Sequence, residues 1–341
     1  MKAILYRRYG SPDVLEYEET QIPIPEGVAV LVKIRAASVN PLDCAELKGI
    51  PYAFRKLFGL RTPTVAEPGR PGVDLAGVVE AVGEKVTRFQ PGDPVFGMCV
   101  NNPRAEGVQS WVHRDGAYAE YACTPETGLV LKPENVTFEQ AAATPIAALT
   151  ALQGLRGKGK IQPGQEVLIH GAAGGVGSFA VQIAQWLGAK VTGVTSTKNL
   201  ELVRSLGADR VIDYTREDFT QGTRRYDVIL DCHADHPLSA IRRVLTDKGI
   251  YVGVGAPVKQ GGFGILVGLL RMQVLSRVTS QKFLTFIARP NPEDLNTLRE
   301  LLASGAVKPV IDHCFALNRT SDAIRYLEGG HAQGKVVITV G

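Results

Sequence analysis

Residues 166–187 read EVLIHGAAGGVGSFAVQIAQWL: an apolar run, a tight turn of small residues, then apolar side chains at Val176, Ala180, Ile183, Ala184 and Leu187. That last spacing is helical. A strand that feeds a glycine turn at the start of a helix is suited to hold an anion, because the first-turn N–H groups have no partner within the helix and the dipole there is positive. Against the dinucleotide fingerprint, positions 172–177 read A-A-G-G-V-G, so Ala172 stands for the first glycine while Gly174 and Gly177 remain. Gly174 would let the backbone approach a pyrophosphate, and Gly177 would let helix and strand pack closely. Alone, the pattern is equally a tight turn. Followed by four further alternating strands, it points to a dinucleotide site.

The end of the next strand decides which dinucleotide. There an acidic residue would hold the ribose 2′-hydroxyl of NAD, but the chain reads Val194-Thr195-Ser196-Thr197-Lys198-Asn199. The Ser196 hydroxyl and the Lys198 ammonium suit a 2′-phosphate, each charge-assisted bond contributing roughly 1.5–3 kcal/mol. NADPH is the expected cofactor. The plainer reading makes Ser196 a helix cap and Lys198 a solvated side chain. Tyr214, ending the third strand, lies against the same adenine end or is packing.

These residues need elements to position them. Residues 1 to about 130 hold short, valine-rich strands separated by Gly/Pro turns (29–38, 76–83, 93–98, 117–124), which suggests a barrel-like all-β unit. From about 131 an alanine-rich helix (138–155) opens an alternation of strands at 166–171, 190–196, 210–214, 226–231 and 250–255 with helices at 175–187 and 198–206. This is the grammar of an α/β, doubly wound parallel sheet. Beyond 290 a helix, the run PVIDHCFAL, another helix and GKVVITV would return to the first domain. The expected division is 1–130 with 290–341, and 131–289 for the dinucleotide domain. FLTFIARPN (283–291) reads as a sixth strand at the sheet edge, where an unpaired edge suits a homodimer.

The 341 residues carry a net charge of +4, with Lys and Arg scattered in pairs, so a nucleic-acid surface is not expected. No apolar run approaches the ~20 residues that cross a bilayer, and the N-terminus reads as a strand rather than a signal peptide. The five cysteines show no paired spacing, which fits a reducing compartment and a cytoplasmic protein. Cys123 and Cys314 read as small core residues.

Together with GVDLAGVVEAVG, GAYAEY, GADRVIDY and the ending GHAQGKVVITV, these residues resemble the medium-chain dehydrogenase/reductase superfamily along nearly the whole chain. Within it the sequence is similar to the zinc-free quinone oxidoreductase branch, with its zeta-crystallin-like proteins and enone reductases. The resemblance implies a GroES-like β-barrel domain for the substrate, an inserted Rossmann domain, and a cleft between them. The zinc alcohol dehydrogenases of the superfamily take their metal from a Cys-His-Thr/Ser-Asp run and a Gly-His-Glu run. Here Asn40 stands where the cysteine would be, Asp43 falls on the family aspartate, Cys44 comes one place late, and the second run reads Gly72-Val73-Asp74. A catalytic zinc needs about three protein ligands, so no metal is expected. The resemblance further implies Asn40 at the nicotinamide ribose, Thr150 and Val254 at the nicotinamide, Ala173, Gly175 and Val176 at the pyrophosphate, and Lys335 at the phosphates. Plainer readings make Thr150 a helix residue bonded to its own turn and Lys335 a surface charge.

Hydride transfer to a quinone or to the β-carbon of an enone puts negative charge on an oxygen, which needs a hydrogen-bond donor or a proton rather than a metal. Tyr52, Tyr118 and solvent are the candidate donors. His170 reads as a structural or cofactor-side residue, and His233 with His236 as a solvated turn without ligand spacing. The run 98–116, with Trp111 and His113, and DCHADHP (231–237) depart from the family pattern. The expected activity is NADPH-dependent, zinc-independent reduction of a quinone or α,β-unsaturated carbonyl. The alternatives are an NADPH-binding regulatory or structural protein with little turnover, and an alcohol dehydrogenase.

Overall fold

The computed structural model describes residues 1–49, 62–100, 116–254 and 261–341. They form two compact units, Met1–Leu149 with Arg289–Gly341, and Thr150–Ala288.

In the first unit, β1 (Lys2–Leu5) and β2 (Glu16–Glu19) pair antiparallel as a separate ribbon. The main sheet is built on β3 (Ala29–Val39), an 11-residue strand buried along most of its length. β4 (Asp74–Val82) runs antiparallel to the whole of β3, followed outward by β5 (Pro94–Met98) and β7 (Leu129–Leu131), while β6 (Tyr121–Pro125) pairs with the first half of β3. The β3–β4 register shifts at Leu31/Val32 and Ile34/Ala36. Such bulges bend a sheet, and the bend lets β3 exchange neighbours halfway along. Ile4, Val32, Ile34, Leu75, Val79, Val95 and Leu129 fill the interior.

The second unit is one parallel sheet of β8 (Glu166–His170), β9 (Lys190–Thr195), β10 (Arg210–Asp213), β11 (Tyr226–Asp231), β12 (Leu245–Val254) and β13 (Lys282–Phe286). Their spatial order is β10-β9-β8-β11-β12-β13. Strand order reverses at β8, whose neighbours are β9 and β11. In open α/β sheets the crevice outside the strand ends at such a switch point is where ligands bind. The edge strand expected over 283–291 is present over Lys282–Phe286 as β13, which pairs parallel with β12, while 287–291 lie outside the strand.

The chain then returns to the first unit through β14 (Ile311–Ala316) and β15 (Lys335–Thr339), with β15 antiparallel to the second half of β3. The expected changeover near 131 differs from the observed grouping. The helix Phe138–Ala142 packs on β3, β4 and β5, and the Ile146 N–H donates to Asp74 Oδ1 at 3.0 Å, so residues 131–149 group with the first unit. The single helix expected over 138–155 is three pieces: Phe138–Ala142, Pro145–Leu152 and the π-wound Gln153–Lys158. Pro145 supplies no N–H to continue the first piece. Cys314 is exposed and Cys123 half-buried rather than core, since β14 keeps only part of its surface covered.

Candidate active site

The glycine turn follows β8. Gly171 and Ala172 both donate their N–H to Val194 O on β9, at 3.2 and 3.0 Å, and Gly174 N–H closes the turn onto Gly171 O at 3.0 Å. The helix Gly175–Trp186 begins there, with Gly174 as an N-cap that offers no side-chain acceptor. The two fingerprint glycines have different reasons to be glycine. A Cβ at Gly177 would lie 2.0 Å from Gly171 O, so helix–strand packing demands its absence. A Cβ at Gly174 would meet only Gly171 O, at 3.4 Å, so the chain itself does not require glycine there. Gly174 keeps open a cradle in front of the first-turn N–H groups of Gly175, Val176 and Gly177, and this fits a diphosphate. Ala172 is tolerated in place of a glycine because Gly193 stands opposite: a Cβ there would come within 3.1 Å of Ala172 Cβ.

Ser196, Lys198 and Tyr214 gather at the C-terminal ends of β9 and β10. Ser196 is half-buried and its Oγ accepts from Asn199 Nδ2 at 3.3 Å, while Lys198 is exposed and Tyr214 is 56% exposed. Tyr214 N–H donates to Thr195 O at 3.0 Å, fixing the two strand ends together. One carboxylate nearby had not been weighed from sequence, Asp213 at the end of β10. It is already engaged, accepting from Thr197 Oγ1 at 2.6 Å and from the Thr215 N–H and hydroxyl at 3.0 and 2.7 Å. The Thr197 bond holds its carboxyl below the usual range. The turn therefore presents a hydroxyl and an ammonium with its one acid occupied. Val254 ends β12, two strands along from β8, and Thr150 is half-buried on the helix Pro145–Leu152.

The first unit holds a buried polar network. Asn40 is 3% exposed; its Nδ2 donates to Asp74 Oδ2 at 3.0 Å and Ser38 O at 3.3 Å, and its Oδ1 accepts from Lys335 Nζ. Lys335 Nζ also donates to Val39 O at 3.2 Å and stands 3.7 Å from Asp74 Oδ2. Asp74 accepts further from Ser38 Oγ at 2.8 Å. Burial pushes Lys335 down, against the pull of Asp74, and pushes Asp74 up, against Lys335. Lys335 is thus a buried network residue of β15, and the expectation of a phosphate ligand is corrected: its ammonium is spent on Asn40, Val39 and Asp74. Ser38 and Asp74 were missed as network members, although Asp74 stands in the run 72–74 already singled out. Where zinc ligands would be expected, Asn40 offers a carboxamide engaged at both ends, and Val73 is a fully buried hydrocarbon. These residues do not fit a catalytic zinc, and a cation there would meet the Lys335 ammonium.

Tyr118 is also corrected. It is fully buried, and its hydroxyl donates to Asp43 Oδ2 at 3.0 Å, so it cannot donate to a substrate. Asp43 Oδ2 accepts as well from the Asn40 N–H at 2.7 Å, closing the start of the helix Pro41–Lys48. Burial pushes Asp43 up to about 7. Tyr52, Trp111 and His113 lie outside the described residues.

Two families match the chain: Alcohol dehydrogenase GroES-like domain over residues 26–134, and Zinc-binding dehydrogenase over residues 206–338. A 2-methylene-furan-3-one reductase of Solanum lycopersicum is 37% identical over 99% of this chain and 79% of its own length. A chloroplastic NADPH-dependent alkenal/one oxidoreductase of Arabidopsis thaliana is 36% identical over the same shares. The quinone oxidoreductase structure from Coxiella burnetii superposes with a TM-score of 0.81 at 30% identity, over 100% of this chain and 99% of that one.

Proposed function

The chain belongs to the medium-chain dehydrogenase/reductase superfamily, in its quinone-oxidoreductase-like branch, and on that premise we propose that it is an NADPH-dependent, zinc-independent reductase of α,β-unsaturated carbonyls or quinones. It is an oxidoreductase with a GroES-like domain and an NAD(P)-binding Rossmann-like domain. The observation that carries the proposal is the Asn40–Lys335–Asp74 network, which puts an engaged carboxamide at one metal-ligand position and a buried ammonium beside it. The names of the two plant relatives support the substrate class. The hydroxyl–ammonium turn at Ser196 and Lys198 supports NADPH over NADH.

When bound, the reduced nicotinamide supplies a hydride. The chain's part is to hold and orient. The N–H groups of Gly175, Val176 and Gly177 take the diphosphate, Ala173 and Gly174 leave room for it, and Ser196 with Lys198 take the 2′-phosphate beside the Tyr214 ring. Thr150 and Val254 stand on the nicotinamide side. Asn40, with its carboxamide engaged by Asp74, Ser38 and Lys335, fixes the start of the helix Pro41–Lys48 rather than offering a free donor to the cofactor. Hydride addition to the β-carbon leaves an enolate, and a proton at the α-carbon completes reduction of the double bond. With Tyr118 engaged, Tyr52 and solvent are the donors left for that proton.

The test is NADPH and NADH oxidation against a panel of quinones, enones and enoyl thioesters, before and after chelation. The expected outcome is turnover of an enone or quinone with NADPH, unchanged by chelation. Binding of NADPH without oxidation of any acceptor would support a regulatory protein instead, and an absolute zinc requirement would overturn the metal-free chemistry. A homodimer through the β13 edge belongs to the same proposal. Among the described residues β13 pairs with β12 alone, and Leu270, Val274 and Val278 on the adjoining helix Gly261–Val278 are exposed, as is Ile287 just after β13. A sedimentation mass of one chain would exclude it. The five free cysteines support residence in the reducing cytoplasm.

A further inference from the structure

A second constellation lies in the parallel-sheet unit, at the C-terminal ends of β8 and β11, and takes no part in the proposed reduction. His170, the last residue of β8, is 3% exposed, and its Nδ1 lies 2.9 Å from Oδ1 of the fully buried Asp231. The same carboxylate accepts the N–H groups of His233 and Ala234, at 2.9 and 2.8 Å, and the Tyr251 hydroxyl at 3.0 Å. Asp231 is therefore an acceptor on every side, which puts the His170 proton on Nδ1 and leaves the Nε2 lone pair open to another partner.

The turn 231–237 brings candidates for that partner. The His236 ring stands edge-on to His170, with centroids 5.2 Å apart, and its Nδ1 is 2.7 Å from Asp235 Oδ1. One donor atom from each of His170, Asp235 and His236 lies within 4.8 Å of the others; Asp235 Oδ1 stands 3.7 Å from His170 Nδ1, and Asp218 Oδ1 is 3.5 Å from His236 Nε2. Phe219 closes the apolar side, its ring centroid 5.3 Å from His170 and 4.7 Å from His236, and His233 packs on His170 at 5.3 Å. Asp235 is 61% exposed at the side chain and His236 23%, so the group is buried at one end and open to water at the other.

We propose that His170, Asp235 and His236 bind a divalent transition-metal ion of the zinc type, with Asp231 orienting His170 and water completing the coordination. Two imidazoles and one carboxylate suit zinc, cobalt or nickel, whereas magnesium and calcium take oxygen ligands. In a tetrahedral site with ~2.0–2.2 Å bonds the donor atoms stand about 3.3–3.5 Å apart, so closure requires movement of Asp235 and His236 toward the free nitrogen of His170. The two solvent-facing side chains can supply it by small rotations. The Asp231–His170 pair is the carboxylate–histidine arrangement that fixes ring orientation at metal sites. His233 and His236 alone lack ligand spacing; the residue that completes them comes from β8. The ion would also tie the turn to the glycine loop, since His233 Nε2 already lies 2.9 Å from where a Cβ on Gly171 would be.

The experiment uses the full chain without a tag, stripped with chelator and titrated with Co²⁺ in the visible and with Zn²⁺ by calorimetry. One equivalent should bind, with a four- or five-coordinate cobalt spectrum free of thiolate charge transfer. His236→Gln and Asp235→Asn should each weaken binding at least about tenfold with far-ultraviolet circular dichroism unchanged, and Asp231→Asn should weaken it about 10–100-fold. Absence of stoichiometric binding, a thiolate band implicating Cys232, or an unchanged affinity in the His236→Gln/Asp235→Asn double variant would overturn the proposal.

Discussion

Asn40 and Lys335 are 295 residues apart and share a buried hydrogen bond. Nothing local to either residue announces that pairing, which is why Lys335 reads from sequence as a phosphate ligand. The proposed cofactor turn is different, because the roles proposed for Gly174, Gly177, Ser196 and Lys198 rest on backbone geometry and strand-end position, both of which are local. Two predictions belong at this scale. Replacing Ser196 and Lys198 by Ala removes interactions of about 1.5–3 kcal/mol each, so KM for NADPH should rise tenfold or more per substitution while KM for NADH stays near its wild-type value. Parallel steady-state titrations check it, and equal losses for both cofactors would refute the assignment. Tyr118→Phe deletes the hydroxyl that donates to Asp43 Oδ2, an oxygen that keeps the Asn40 N–H. Stability should fall by about 1 kcal/mol, with kcat within about twofold of wild type. A kcat collapse in a folded variant would restore Tyr118 as a proton donor.

Among the elements, the parallel strands and the edge strand β13 were legible, because an apolar run of fixed length between glycines has few other fates. The long alanine-rich helix was legible in type but not in continuity. Its break at Pro145 follows from one missing N–H, and residues 131–149 join the first unit through contacts with β3, β4 and Asp74 that no periodicity reveals. The glycine loop allows a sharper test, because its two fingerprint glycines serve different masters. Gly174→Ala puts a methyl group 3.4 Å from Gly171 O, an ordinary contact, so the urea midpoint should hold while NADPH affinity drops. Gly177→Ala puts one 2.0 Å from the same oxygen, so the helix must shift off β8 at a cost of about 1–3 kcal/mol. Fluorescence titration and urea unfolding of both variants separate the roles; the same stability loss in each would show that Gly174 is structural.

Across the whole molecule, composition excludes little that the fold does not, and a net charge of +4 says nothing about where charges are buried. Several are. Burial pushes Asp43 up to about 7 and Glu46 up to about 8, and each has one carboxylate oxygen that is buried with no hydrogen-bond partner among the described residues. The folded state therefore keeps protons that the unfolded chain releases near its ordinary carboxylate values of about 4. Stability from these two groups is fully present below about pH 4 and is lost as pH rises through about 7 and 8. Asp74 is raised in the same direction, by burial, while Lys335 is lowered by burial and so opposes the trend on the alkaline side. Asp231 works in the other sense. Burial opposes its ionisation, but the His170 bond and charge hold it down to about 2, so its contribution is present above about pH 4 and lost only in strong acid. The urea midpoint should accordingly decline from pH 5 to pH 8. Asp43→Asn and Glu46→Gln keep the acceptors used by Tyr118, Asn40 and Tyr6 and mimic the protonated acids. Each should flatten the decline, and the double variant should flatten it most. A slope in the double variant equal to that of wild type would mean that these acids ionise freely in the fold, and that the buried network around Asn40 is wetter than its geometry implies.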